Sequence, residues 1–274
     1  MKTITHFTIP VLLCISVEVL GAQTPFATKT DLTSITVTAS QTPVSIRDTA
    51  SAITIITKEE IQRRNVSNIS DLLRNVPGFS VNQQGSRGAV TQLRVRGSES
   101  NHVLVLIDGV RANDIAQGGQ FNFAHLMSQG IEQIEIIRGP QSALYGADAL
   151  AGVVNVITTR NNHPSTSEHS TQDRAQNKIF NATIGLGSFG SNQWGLNIAN
   201  SQGDSQFKVG LNSVKTDGTN ISRQGDETDG YKNTTISFSG STIFADFASA
   251  GLSYRQTNSE TEFDDTDFFN TGLP

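Results

Sequence analysis

The chain has 274 residues, of which 36% are hydrophobic and 16% charged, with 24 glycines and a net charge of -5. This composition fits neither a disordered chain nor a helical bundle, and its Gly, Ser, Thr and Asn favour β structure. With an acidic balance and no basic stripe, nucleic acid is excluded as a partner.

Residues 1–22 read as an export signal. Lys2 gives a positive start, Ile9 to Leu20 an apolar core broken by Pro10 and Glu18, and Gly21-Ala22 a small-residue exit before Gln23. A buried N-terminal helix is the other reading of this segment. The single cysteine, Cys14, falls inside it, so the mature chain is expected to have no disulfide and no thiolate ligand. No other window approaches the ~18 consecutive apolar residues of a spanning helix, so any membrane insertion must use a barrel.

Residues 23–49 form a polar arm without periodicity. Within it, at about 33–39, lies the β-branched run Ile35, Thr36, Val37, Thr38, Ala39. On local evidence this is an ordinary edge strand, though such a segment can also lend its backbone to a partner's sheet edge. From 50 to 160 the pattern becomes a compact α/β alternation, one domain of about 110 residues. Ala52 to Ile56 reads as a strand, and Thr57-Lys58-Glu59-Glu60 as a capping box opening a short helix. Ser67 or Asn68 can cap a second helix, with Ile69, Leu72, Leu73 and Val76 on one face and Pro77-Gly78 at its end. Further strands are predicted at Phe79–Asn82, Gln92–Arg96, Val103–Ile107, Ile131–Ile137 and Val153–Thr158, with a turn at Asp108-Gly109.

Residues 161–178 are hydrophilic and read as a linker or disordered loop. His163 and His169 lie there without a convergent third ligand, as solvated residues. From 179 to 274 the period becomes two. Phe180, Ala182, Ile184 and Leu186, then Trp194, Leu196 and Ile198, then Phe207, Val209 and Leu211 alternate with small, polar or charged residues. Ile236 and Phe238, and later Ala248, Ala250, Leu252 and Tyr254, repeat the pattern. A transmembrane barrel with lipid outside and water inside has this signature. So does a soluble sandwich with one wet face.

The densest motifs are Asp71-Leu72-Leu73 to Val76-Pro77-Gly78, Arg94-Val95-Arg96-Gly97, the run His102 to Arg111, and the run Ile136 to Arg160. In order and spacing they resemble the plug domain of TonB-dependent outer-membrane receptors, and within that family the cobalamin (vitamin B12) receptor type. The resemblance implies an α+β plug domain followed by the first strands of a transmembrane antiparallel β-barrel of about 22 strands when complete. At ~10 residues per strand the residues after 178 supply only about five or six, so a truncated barrel is expected. The implied location is the outer membrane of a Gram-negative bacterium after signal cleavage, in contact with its lipid.

The same resemblance makes Ile35, Thr36, Val37, Thr38 and Ala39 the TonB box, with TonB and its inner-membrane energising complex as partners. It makes Arg96 and Arg138 a latch from plug to barrel wall, where a buried guanidinium needs a carboxylate. It places ligand contact on three loops, at 82–92, 97–101 and 112–123, with Val90, Gln92, Glu99, Gln117 and Gly118 as candidates. The implied activity is import of a large, scarce ligand, cobalamin, with a ferric siderophore or heme as the alternative. The loops depart from the cobalamin receptors where the strands agree, which leaves the ligand open. An outer-membrane barrel enzyme lacks support, since no histidine follows His169 and no catalytic constellation is legible. A passive porin would have no use for a plug. No cofactor is expected, except that Asp226, Glu227 and Asp229, with Asp264 or Asp265, could enclose a structural Ca²⁺, which takes about 6–8 oxygens. Solvated acidic loops are the other reading of these carboxylates.

Overall fold

The computed structural model describes residues 36–37, 44–45, 52–158, 177–220, 228–245 and 248–262. Outside the described residues lie the signal segment with Cys14, and with it Ile35, Thr38, Ala39, Arg160, His163, His169, Asp226, Glu227, Asp264 and Asp265.

In the arm, β1 (Thr36–Val37) pairs antiparallel with β2 (Val44–Ser45), in register Thr36 to Ser45 and Val37 to Val44. The plug begins with β3 (Ala52–Thr57), which runs directly into α1 (Lys58–Arg64). Thr57 caps α1 by accepting from the Glu60 amide at 3.4 Å. The reciprocal half of the expected capping box is replaced, because the Glu60 carboxylate pairs forward with Arg63 and Arg64. Asn65, in the left-handed region at φ 46°, closes the helix. Asn68, not Ser67, caps α2 (Ile69–Leu73), its Oδ1 accepting from the Ser70 amide at 2.9 Å. The predicted face of Ile69, Leu72, Leu73 and Val76 is buried in the main core.

The hairpin β4 (Phe79–Gln83) and β5 (Thr91–Val95) stands apart from a five-stranded mixed sheet. That sheet comprises β3, β6 (Val103–Ile107), β7 (Val110–Arg111), β8 (Gln133–Arg138) and β9 (Gly152–Ile157), in the order β3-β8-β9-β6-β7. A short α3 (Ser142–Tyr145) links β8 to β9. Val103, Val105 and Val154 face the core with α1 and α2, while Leu104, Leu106 and Val153 face a second cluster on the other side. Burial on both faces explains why Val103–Ile107 is continuously apolar. β3 is an edge strand of this sheet, and the arm leads into it.

After the linker come β10 (Asn177–Leu186), β11 (Asn192–Gln202), β12 (Ser205–Thr216), β13 (Tyr231–Ala245) and β14 (Ala248–Thr261), an antiparallel meander paired in chain order. Its polarity is inverted relative to a soluble sheet. Apolar residues point outward, with Phe180 70% and Ile184 85% exposed, and no described element covers them. The polar phase is buried: Asn233 is 0%, Asn212 3% and Lys208 6% exposed. A sandwich would bury the apolar phase and wet the polar one. The arrangement is therefore that of a barrel wall whose inner face is packed against the plug. The long connection 217–230 joins β12 to β13, while Gly203-Asp204 turns β11 tightly into β12 at the other end.

Candidate functional site

One end of the plug is built from three loops, and short polar side chains shape them. Asp114 Oδ1 accepts from the Ala116 amide at 2.8 Å, opening a single turn that Gly118 ends at φ 70°. Asn122 Oδ1 accepts from the Ala124 and Thr91 amides, both at 3.0 Å, which ties the 112–122 loop to β5. The buried Asn113 holds β6 to the same loop, accepting from the Val105 amide at 2.8 Å and donating to the Val103 and Gly119 carbonyls. Gln92 Nε2 donates to Gln120 Oε1 at 2.6 Å, and Asn101 lies beside Gly119.

Four of the five ligand candidates sit on these loops, whereas Gln92 lies in β5 opposite Asn82, because β4 and β5 extend into the stretch expected as a loop at 82–92. Val90, Glu99, Gln117 and Gly118 are exposed there and Gln92 is half-buried, while Glu99 also pairs with Arg94 at 3.6 Å. Sequence reasoning missed Gln120, the fully presented Ile115 and Asn101, whose Oδ1 is buried with no partner. Gln120 was findable as another amide in a loop already singled out. The tip of the β4–β5 hairpin abuts the wall: a side chain at Gly88 would meet Tyr231 and Thr261, at the ends of β13 and β14 beside the long 217–230 connection. The hairpin tip thus lies at the end of the wall that carries the 217–230 connection.

The nominated latch arginines are placed differently from expectation. β5 stops at Val95, so Arg96 is not in a strand: it occupies a tight turn at φ 52°, with its amide donating to the Gly78 carbonyl at 2.7 Å, and it is exposed. The chain must reverse direction there, which a strand position would not allow. Arg138 works inside the plug. Its Nη2 donates to Thr54 Oγ1 at 2.8 Å, its Nη1 to the Pro77 carbonyl at 3.0 Å and its Nε to the Ala52 carbonyl at 3.4 Å. These bonds fasten the first residues of the edge strand β3 to β8 and to the end of α2. Arg138→Ala is expected to lower plug stability by about 1–2 kcal/mol, because charged donors to the backbone are lost at a partly exposed site. Hydrogen exchange should quicken first at the β3 amides; protection unchanged there would refute this role.

Between plug and wall, Tyr231 of β13 donates from Oη to the Ala124 carbonyl at 3.2 Å and stacks on His125 at 5.9 Å, with His125 Nδ1 3.1 Å from Oη. Asn233 Nδ2 donates to the His125 carbonyl at 3.1 Å, and the Arg87 guanidinium lies over the Tyr231 ring. Burial pushes the His125 imidazole below its ordinary range. The unfolded state then takes up a proton that the folded one refuses as pH falls below about 6.5, so this packing is complete above that pH and weakens below it. Plug release measured against pH should rise on acidification, and His125→Gln should remove that component.

Of the five carboxylates nominated for Ca²⁺, only Asp229 is described, and it is buried and engaged within the protein. Among the described residues no three His, Cys, Asp or Glu side chains gather to hold a metal. Asp226, Glu227, Asp264 and Asp265 lie outside the described residues. Glu262 Oε2 accepts from the Gly230 amide at 3.1 Å, closing the end of the 217–230 connection against β14.

Residues 45–153 match the family model described as TonB-dependent Receptor Plug Domain. The chain carries a TonB-dependent receptor plug domain. Two relatives are named vitamin B12 transporter BtuB. The one from Photobacterium profundum is 34% identical over 84% of this chain and 36% of its own length. The one from Vibrio vulnificus is 44% identical over 46% of this chain and 20% of its own. The chain thus spans about a third or less of these relatives. Among solved structures, the pyoverdine outer membrane receptor FpvA from Pseudomonas aeruginosa PAO1 gives a TM-score of 0.63 at 16% identity, over 83% of this chain and 30% of that one. The siderophore receptor PirA from Acinetobacter baumannii gives 0.57 at 23%, over 76% and 32%. At these identities the likeness establishes the fold: a plug followed by strands of an outer-membrane receptor barrel. The relatives are transporters and receptors rather than enzymes.

Proposed function

We propose that this plug and wall serve TonB-dependent import of cobalamin across the outer membrane of a Gram-negative bacterium, after signal cleavage near Ala22. The observation that carries this reading is the polar inner face of the five-stranded sheet, which seats a plug whose loops gather at one end. The vitamin B12 transporters at 34–44% identity favour cobalamin over a siderophore or heme.

In this mechanism the amides of Gln92, Gln117 and Gln120, with the exposed Ile115, bind a large ligand that is polar at its rim and apolar on its faces. The arm supplies the strand Thr36–Val37, flanked by Ile35, Thr38 and Ala39, and a TonB strand adds to its edge through main-chain hydrogen bonds. Tension on the arm then falls first on β3, an edge strand with a neighbour on one side only, and on the Arg138 bonds that fasten it. No step requires a catalytic group, a nucleotide or a metal from this chain.

Calorimetry on the receptor in detergent, with cobalamin, a ferric siderophore and heme titrated separately, tests the ligand. Saturable cobalamin binding alone is the expected result. Binding of the siderophore or heme in its place would transfer the site to the other ligand class.

A further inference from the structure

We propose that the plug is seated by a cation of the barrel wall: Lys208 forms a clasp on the plug edge where β6 and β9 end and β8 begins. Lys208 lies in the inward phase of β12. Its ammonium is 3.5 Å from Glu132 Oε1 and donates to the Gly130 carbonyl at 2.6 Å and to the Thr158 carbonyl. Three hydrogens thus meet three acceptors, all of them on the plug. A lysine placed merely to wet a lumen would keep its ammonium in water, whereas this one is withdrawn from solvent and saturated by the plug.

The neighbours extend the contact in both directions. Glu132 also takes Lys58 at 2.9 Å, the first residue of α1, immediately after the edge strand to which the arm leads. Thr158 is held by Asp108, which accepts from its amide at 2.7 Å and its hydroxyl at 2.6 Å. Asp108 and Arg255 of β14 are among the residues lining a small cavity beside this contact. The ionic order is therefore wall cation to plug anion. Beside Lys208, Glu132 and Lys58 lies a cavity of about 130 Å³, also lined by Gln129, Asn181 and Asn197. When the clasp parts, water in this polar space can solvate the freed charges, which makes it releasable without a large uncompensated burial.

Seating follows from the fold; only its release during import rests on the proposed transport. The test is single-molecule pulling on an artificial handle at the arm of the receptor in outer-membrane vesicles, which requires neither TonB nor ligand. At fixed force, Lys208→Met is expected to speed plug release roughly tenfold or more, since one partner of a withdrawn pair is left alone. Lys208→Met with Glu132→Gln should release no faster than the faster single variant, because the two act on one contact. If Lys208→Met fails to assemble, Glu132→Gln, which leaves both carbonyl contacts in place, carries the test with the same expected direction. Wild-type release rates in these variants, or effects of Lys208 and Glu132 that multiply independently, would overturn the clasp.

Discussion

Val37→Pro is expected to abolish energised uptake while leaving ligand binding intact. Val37 is extended and lies opposite Val44 in the arm ribbon. Strand addition by a partner draws its affinity from main-chain N–H and C=O groups, and proline removes one donor while fixing φ near a value that breaks the ladder. The plug core begins beyond this point, at β3, so its packing and the three loops should be unaffected. Uptake should fall by roughly 100-fold or more, with ligand affinity changed by no more than about twofold. Normal uptake in this variant would mean that Thr36–Val37 is not where force enters. A parallel loss of ligand affinity would mean that the arm supports the binding loops directly.

The second large effect is expected at the outer face of the wall. Val209 sits in the middle of β12, opposite Ile198 on β11 and Phe238 on β13, and all three are apolar and exposed. If lipid covers that phase, Val209→Arg should cost about 2–4 kcal/mol in the receptor folded into phospholipid vesicles, the range for a cation at the bilayer midplane. Val209→Leu should be nearly neutral. At an exposed position of a water-soluble sheet the arginine would change stability by less than about 0.5 kcal/mol. A denaturant titration therefore separates a wall facing lipid from a sheet facing water.

Local physics made much of the plug legible. The i, i+3, i+4 spacing of Ile69, Leu72, Leu73 and Val76 defined the buried face of α2, and the unbroken run Val103–Ile107 defined a strand covered on both sides. Asp108-Gly109 marked the reversal into β7, although a strand of only Val110–Arg111 leaves too little pattern to read. The alternation after 179 gave the strands but not which phase is wet, because a barrel and a sandwich share the period of two. Only the burial of Asn197, Asn212 and Asn233 against the plug separates them.

The polar contacts were illegible for a different reason. Arg138 looked like a wall-seeking guanidinium because its strand is apolar, but its acceptor at Ala52 is 86 residues away in the same domain. Lys208 falls in the polar phase of the alternation with nothing to mark it, since its acceptor at Gly130 lies 78 residues earlier and has no side chain. Backbone carbonyls carry no sequence signal, so a clasp built largely on them emerges only from the fold. The Gln92–Gln120 hydrogen bond likewise ties the β4–β5 hairpin to the 112–123 loop, 28 residues further on.

The most direct test is uptake of labelled cobalamin by cells that lack their own cobalamin receptor and carry this one, measured with TonB present and with TonB deleted. Accumulation that requires both this receptor and TonB is the predicted result. Cobalamin accumulation that persists without TonB, or no accumulation under either condition while the receptor is present in the outer membrane, would contradict it.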